Sequence, residues 1–191
     1  MPPDFDLTRD GCHGLLIDVQ ERFVPAIPAL DERAGAAPAL AGMTLLLRGL
    51  ALLGVPLAVS EQYKKGLGET LPALRDAAGA AASYHEKTAF SCLDDAGVRD
   101  HLAASEREVL LIAGIEAHIC VLATVADALR HGYAVVVATD AVASRQEAHR
   151  DHALAAMRDL GALVLPSESI LFRLQRLAGV GQFKALSQLV R

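Results

Sequence analysis

The segment Val109-Leu110-Leu111-Ile112-Ala113-Gly114-Ile115-Glu116-Ala117-His118-Ile119-Cys120-Val121 admits few structures. Its apolar run from Val109 to Ala113 lies between charged Glu108 and Gly114, the pattern of a fully buried strand. Beyond the glycine, Val121, Thr124, Val125, Ala128 and Leu129 recur at helical spacing until Gly132, where a helix would stop. The turn sets Cys120 close to the helix start. There the helix dipole and unpaired N–H groups favour a thiolate and could receive an oxyanion. A small buried cysteine that packs as a hydrophobe fits the same residues. The segment alone is compatible with both.

Further buried strands are expected at Leu15–Gln20, which carries Asp18, and at Val55–Val59, Ala134–Ala138 and Ala162–Leu165. Ser83–Phe90 reads as a short extended piece with Lys87 near its end. Helices are expected from Ala34 to Leu53, stopped by Gly54, and from about Asp94 to Ala103. Ser144-Arg145-Gln146-Glu147 reads as a capping box that starts a helix running to about Leu160. Two short helices, Ser169–Leu177 and Phe183–Val190, close the chain. Strands alternating with helices argue for a parallel sheet covered on both faces.

At 191 residues, with 52% apolar and 21% charged residues, the chain is expected to form one α/β domain over residues 1–191 with a substantial core. Its net charge of -5, with no Lys/Arg block interleaved with aromatics, argues against nucleic acid or an acidic membrane surface as partner. Cys12, Cys92 and Cys120 have no metal-type spacing, and three cysteines make a poor disulfide framework, so a cytoplasmic setting is expected. Met1–Asp6 lacks the basic and apolar regions of a secretory signal. The run from Ala34 to Leu53 is interrupted by Gly35, Pro38, Gly42, Arg48 and Gly49, as suits a packed helix rather than a membrane span. Lys64–Thr70 has two glycines and two lysines but no full phosphate-binding fingerprint, and reads as a turn.

Asp18, Lys87 and Cys120 lie near the ends of three separate strand-like pieces, and a parallel sheet brings such ends to one edge. A carboxylate there can accept the thiol proton, an ammonium can stabilise both anions, and a thiolate can attack a carbonyl. Singly, Asp18 also reads as a cap and Lys87 as a solvated surface group.

With Asp18-Val19-Gln20 and Phe23, with Lys87-Thr88-Ala89-Phe90, with Gly114 through Val121, and with Thr139-Asp140-Ala141-Val142 before Ser144-Arg145, the chain resembles the isochorismatase-like cysteine hydrolases over nearly its whole length. Glu61-Gln62-Tyr63, Gly66-Leu67-Gly68 and Ser167-Glu168-Ser169-Ile170-Leu171-Phe172 make it look most like the isochorismatase domain-containing subgroup. The resemblance implies a six-stranded parallel sheet in a single three-layer α/β domain. It also implies a triad of Asp18, Lys87 and Cys120, and an oxyanion hole from the backbone N–H groups of Glu116 and Cys120. A non-proline cis peptide is implied at Ile115–Glu116.

The implied activity is hydrolysis of a C–N bond in a small amide, ureido or carbamoyl substrate through a Cys120 thioester. Nicotinamidases of this family hold a metal with an Asp and two His after the second strand. Here Ser60-Glu61-Gln62-Tyr63-Lys64-Lys65 has no histidine, so neither a catalytic metal nor another cofactor is expected. True isochorismatases, which cleave a vinyl ether, lack the nucleophilic cysteine. Gln20, Phe23, Gln62, Tyr63 and His118 are candidate pocket residues, His118 in a positioning role because Asp18 already fills that of base. His149 and His152 are expected on a solvated helix face, and Cys12 and Cys92 in the core. A homo-oligomer is also implied, with Leu171, Phe172, Leu174 and Leu177 open to an interface or to the chain's own core. The rival readings are a non-enzymatic or redox-responsive scaffold on the same fold, and isochorismatase-type ether hydrolysis.

Overall fold

The computed structural model of the protein describes residues 7–31 and 37–191. Six parallel strands form its sheet: β1 (Cys12–Ile17), β2 (Leu57–Gln62), β3 (Ser83–Lys87), β4 (Val109–Gly114), β5 (Ala134–Val142) and β6 (Leu163–Leu165), in the order β3-β2-β1-β4-β5-β6. Successive strand residues alternate between two layers, which is why the central strands are apolar throughout. Leu16, Val59, Leu111 and Val136 pack on the side of α1 (Pro38–Leu53), α3 (Pro72–Ala78), α7 (Ser167–Gln175) and α8 (Phe183–Leu189). Leu15, Ile17, Ile112 and Val137 pack on the side of α4 (Ala96–Ala104), α5 (Leu122–Arg130) and α6 (Glu147–Asp159). Each such side chain contributes roughly 1.5–3 kcal/mol by leaving water, so this sheet is held from both faces. A single helical turn, α2 (Lys64–Leu67), follows β2. Among the described residues, no helix is long and apolar enough to cross a membrane.

Two glycines mark close approaches. A Cβ at Gly42 would lie 2.1 Å from the Asp140 carbonyl oxygen, so α1 rests directly on the end of β5. A Cβ at Gly114 would lie 2.2 Å from the Ile17 carbonyl oxygen, and Gly114 has φ +130°. The ends of β1 and β4 therefore touch only because position 114 has no side chain.

Several element ends differ from the sequence reading. The first helix begins at Pro38, and Ala34–Ala36 lie outside the described residues, as do Met1–Asp6. β2 starts at Leu57 rather than Val55, and β5 runs on to Val142 because, past a register shift, Val142 pairs with Gly114. α3 had no counterpart, although Pro72 at its first turn is a start signal. The expected capping box is absent. α6 starts at Glu147 behind Gln146, which makes no side-chain cap bond, while Ser144 is buried and bonded to His118. α7 begins two residues early because the Asp140 Oδ1 accepts from both the Ser167 N–H (2.8 Å) and hydroxyl (2.7 Å).

Candidate active site

Strand order reverses between β1 and β4, and in a doubly wound sheet a crevice opens beyond the carboxyl ends at such a reversal. Ile17 pairs with Ser60 on one side and Gly114 on the other, and Gln62 pairs with Lys87. The residue after Ile17 is Asp18, whose N–H donates to the Ser60 carbonyl (3.1 Å) at φ 57°, a left-handed conformation that Asp tolerates better than most residues. Its side chain is thereby turned into the sheet end. It is 1% exposed, Lys87 2% and Cys120 7%.

The Lys87 ammonium donates to the Asp18 Oδ2 (2.7 Å), the Gln62 Oε1 (2.6 Å) and the Ala89 and Phe90 carbonyls (3.0 and 3.3 Å). A buried ion pair is costly unless its remaining donors and acceptors are filled. Here the other Asp18 oxygen, Oδ1, accepts from the Ser60 hydroxyl at 2.7 Å. Gln62 is steadied by its Nε2, which donates to the Thr88 carbonyl (2.8 Å).

Cys120 sits in a wide π turn, Ala117–Val121, that leads into α5. Its thiol feels the charge of the buried Asp18 carboxylate. Burial, and next the Asp18 carboxylate, push the thiol up to about 12, outweighing Lys87. The expectation of a thiolate favoured by the helix start is therefore corrected. Desolvation and the nearby carboxylate win over the dipole. The peptide bond Ile115–Glu116 is cis.

The other sequence candidates divide. Gln20 is buried and acts as a clamp: its Oε1 accepts from the Gln62 N–H (2.8 Å), and its Nε2 donates to the Gln62 and Gly68 carbonyls (3.0 and 2.7 Å). Phe23 packs half-buried against the core. Tyr63 is exposed, its ring against Gly66. His118 is half-buried, with Nδ1 3.0 Å from the Ser144 hydroxyl and its ring tilted against that of exposed His149. The Glu116 carboxylate turns away to Arg145, accepting from its N–H (2.9 Å) and Nε (3.1 Å). Glu61 is occupied by Thr70 and Lys64. Among the described residues, no group of three His, Cys, Asp or Glu is placed to hold a metal ion. A cleft of about 600 Å³ lined by Pro28, Ala29, Ser144, Arg145 and Arg150 opens beside Glu116; Asp18, Lys87 and Cys120 do not line it. Leu171 and Leu174 are buried, and Leu177 is exposed.

Sequence reasoning passed over Ser60 and Arg145 as site neighbours and read Cys92 only as packing. For Ser60 a signal existed: a small hydroxyl directly after the apolar run Val55–Val59, at a strand end.

Fold and site define an α/β domain of the doubly wound kind, with a buried Asp–Lys pair and a cysteine at the reversal of its sheet. Residues 14–169 match the family model of the Isochorismatase domain, and the chain belongs to this family of isochorismatase-like hydrolases. It is similar to mouse isochorismatase domain-containing protein 2A, 35% identical over 176 residues that span 92% of this chain and 81% of that one. Among solved structures, a Caenorhabditis elegans protein described as MAR1 ribonuclease superposes with a TM-score of 0.88 at 30% identity, covering 97% of this chain and 92% of that one. The Escherichia coli YcaC protein, described as an octameric hydrolase of unknown specificity, shares the fold at 21% identity, with a TM-score of 0.83 over 93% of this chain and 85% of that one.

Proposed function

We propose that the protein is a metal-independent cysteine hydrolase that cleaves the C–N bond of a small amide, ureido or carbamoyl substrate. The observation that carries this reading is the buried Asp18 carboxylate, gripped by Lys87 and Ser60, at the sheet end where the Cys120 thiol is also buried and feels its charge. In the first half-reaction the thiol proton passes to Asp18 as sulfur attacks the carbonyl carbon. The oxyanion that forms is received by the backbone N–H groups of Glu116 and Cys120, an interaction worth roughly 3 kcal/mol per donor. Asp18 then returns its proton to the leaving nitrogen, the C–N bond breaks, and an acyl thioester remains on Cys120. In the second half, water attacks the thioester with Asp18 taking its proton. The C–S bond breaks, and the proton restores the thiol. Lys87 balances the charge of carboxylate and thiolate throughout, and Gln62 orients Lys87.

Burial and Asp18 push the Cys120 thiol up, which supports attack assisted by Asp18 as base rather than by a preformed thiolate. The reading calls for a small-molecule substrate and no cofactor, in a cytoplasmic setting. A homo-oligomer goes with it, as in the neighbour described as octameric. The ribonuclease description of the nematode relative suggests RNA as a second substrate class. A chain of net charge -5 has little to attract a phosphate backbone, so the C–N reading is preferred. A turnover screen of small amides, ureido and carbamoyl compounds, with an RNA arm and Cys120→Ala as control, tests both. Cys120-dependent release of amine or ammonia supports the reading; full turnover by Cys120→Ala, or cleavage of RNA alone, overturns it.

A further inference from the structure

The mechanism leaves two buried cysteines unused, Cys12 and Cys92, and Cys92 lies beside the site. Its Sγ lies 3.5 Å from the Ser60 hydroxyl oxygen, and that hydroxyl lies 2.7 Å from the Asp18 Oδ1. The backbone N–H of Cys92 donates to the Thr124 Oγ1 at 3.0 Å. Ser60 and Thr124 are also fully buried. Thr124 stands four residues after Cys120, on the same face of the helical segment that carries the nucleophile.

The direction of each bond is fixed by what its partner can do. An ionised carboxylate only accepts, so the single Ser60 proton points at Asp18. The Ser60 oxygen is then left to accept, and Cys92 must be its donor. Burial, and next the negative charge of Asp18, push the Cys92 thiol up to about 11, so its proton stays in place at neutral pH. The chain Thr124–Cys92–Ser60–Asp18 thus runs from the helix of the nucleophile, through the segment before α4 and the end of β2, to the base at the end of β1.

We propose that Ser60, Cys92 and Thr124 form a buried brace that positions the Asp18 carboxylate against Cys120, with Ser60 the positioning residue in direct contact. Lys87 grips one carboxylate oxygen from β3, and Ser60 grips the other from β2. Two donors on two oxygens stop the rotation about the Cβ–Cγ bond that one donor would leave free. The proton acceptor is thereby held at a constant angle to the thiol during acyl transfer.

The inference rests on the hydrolase reading, so the test separates the two. 4-Nitrophenyl acetate is an activated acyl donor, and its burst of 4-nitrophenolate reports acylation of Cys120. Wild type is compared with Cys120→Ala, Ser60→Ala, Ser60→Thr, Cys92→Ala and Cys92→Ser, with folding checked by circular dichroism. Loss of a hydrogen bond to a charged group should slow the Ser60→Ala burst about ten-fold. Ser60→Thr and Cys92→Ser keep the hydroxyl and the donor and should stay near wild type, with Cys92→Ala between. The infrared S–H stretch of Cys92 supplies a signature that packing alone would not move: in Ser60→Ala it should rise to that of an unbonded thiol. A Cys120-dependent burst that Ser60→Ala leaves unchanged overturns the brace and spares the hydrolase reading. A burst that persists in Cys120→Ala refutes that reading, and the positioning role with it.

Discussion

Replacing Lys87 by Met tests the site through stability before any substrate is in hand. Methionine keeps an unbranched stem of similar length but removes an ammonium whose side chain is fully buried against Asp18. Breaking a buried pair by deleting one partner costs about 3–5 kcal/mol, because the remaining charge stays dry and unpaired. The local inventory leads to a similar figure. Asp18 would retain Ser60, while the Gln62 Oε1 and the Ala89 and Phe90 carbonyls would lose a donor. Each orphaned acceptor is worth about 1–3 kcal/mol if it stays dry. Gln62 is only half-buried, so water can reach it, and the lower part of the range, ~3 kcal/mol, is expected. The double variant Asp18→Asn/Lys87→Met removes both charges and should recover about 2 kcal/mol of that loss. Urea unfolding of the wild type, both singles and the double, at one protein concentration, measures the coupling. If Lys87→Met costs under about 1 kcal/mol, or the two singles simply add, the pair is not a desolvated unit and this reasoning fails.

Three further outcomes are expected. Gly114→Ala should abolish folding or cost upwards of about 3 kcal/mol in thermal or urea unfolding, because its methyl meets the Ile17 carbonyl in a backbone conformation alanine resists; a mild effect would mean the ends of β1 and β4 do not touch. Asp140→Ala should cost about 1–2 kcal/mol by removing the acceptor at the start of α7, with little change at Cys120. Burial pushes His13 down to about 4, so between pH 6.5 and 4 the unfolded chain binds the extra proton and stability falls as the pH falls. The loss reaches at most about 3 kcal/mol at pH 4, is absent above pH 6.5, and should be smaller in His13→Phe.

How much of this was legible depended on whether the signal was local. The sheet was readable because β1, β4 and β5 carry short apolar runs, Leu15–Ile17, Val109–Ala113 and Val135–Ala138, that are buried on both faces and too short for helices. The burial of Asp18, Lys87 and Cys120 at one sheet end was readable because strand ends in a parallel sheet converge, and because the family resemblance joined these residues. The Ser144–Glu147 segment misled because a capping-box pattern is local, whereas Ser144 is held by His118 across the fold. The state of Cys120 misled for the same reason: the helix start is visible in sequence, but the desolvation and the carboxylate facing the thiol are not. Ser60 and Cys92 were missed because neither breaks a pattern. Only the register of Ile17 with Ser60, and the fold of the segment after β3, bring them to Asp18.

The claim at the centre of the account is that Asp18 faces the Cys120 thiol as its proton acceptor. It is tested most directly by the pH dependence of iodoacetamide alkylation at Cys120, mapped by mass against Cys12 and Cys92, in wild type, Asp18→Asn and Lys87→Met. Removing a facing carboxylate lowers a thiol by about one unit or more, so the midpoint of the alkylation profile should fall by about one pH unit or more in Asp18→Asn and rise in Lys87→Met. An Asp18→Asn profile that stays where it was, or moves to higher pH, would show that the carboxylate does not act on this thiol and would contradict the account.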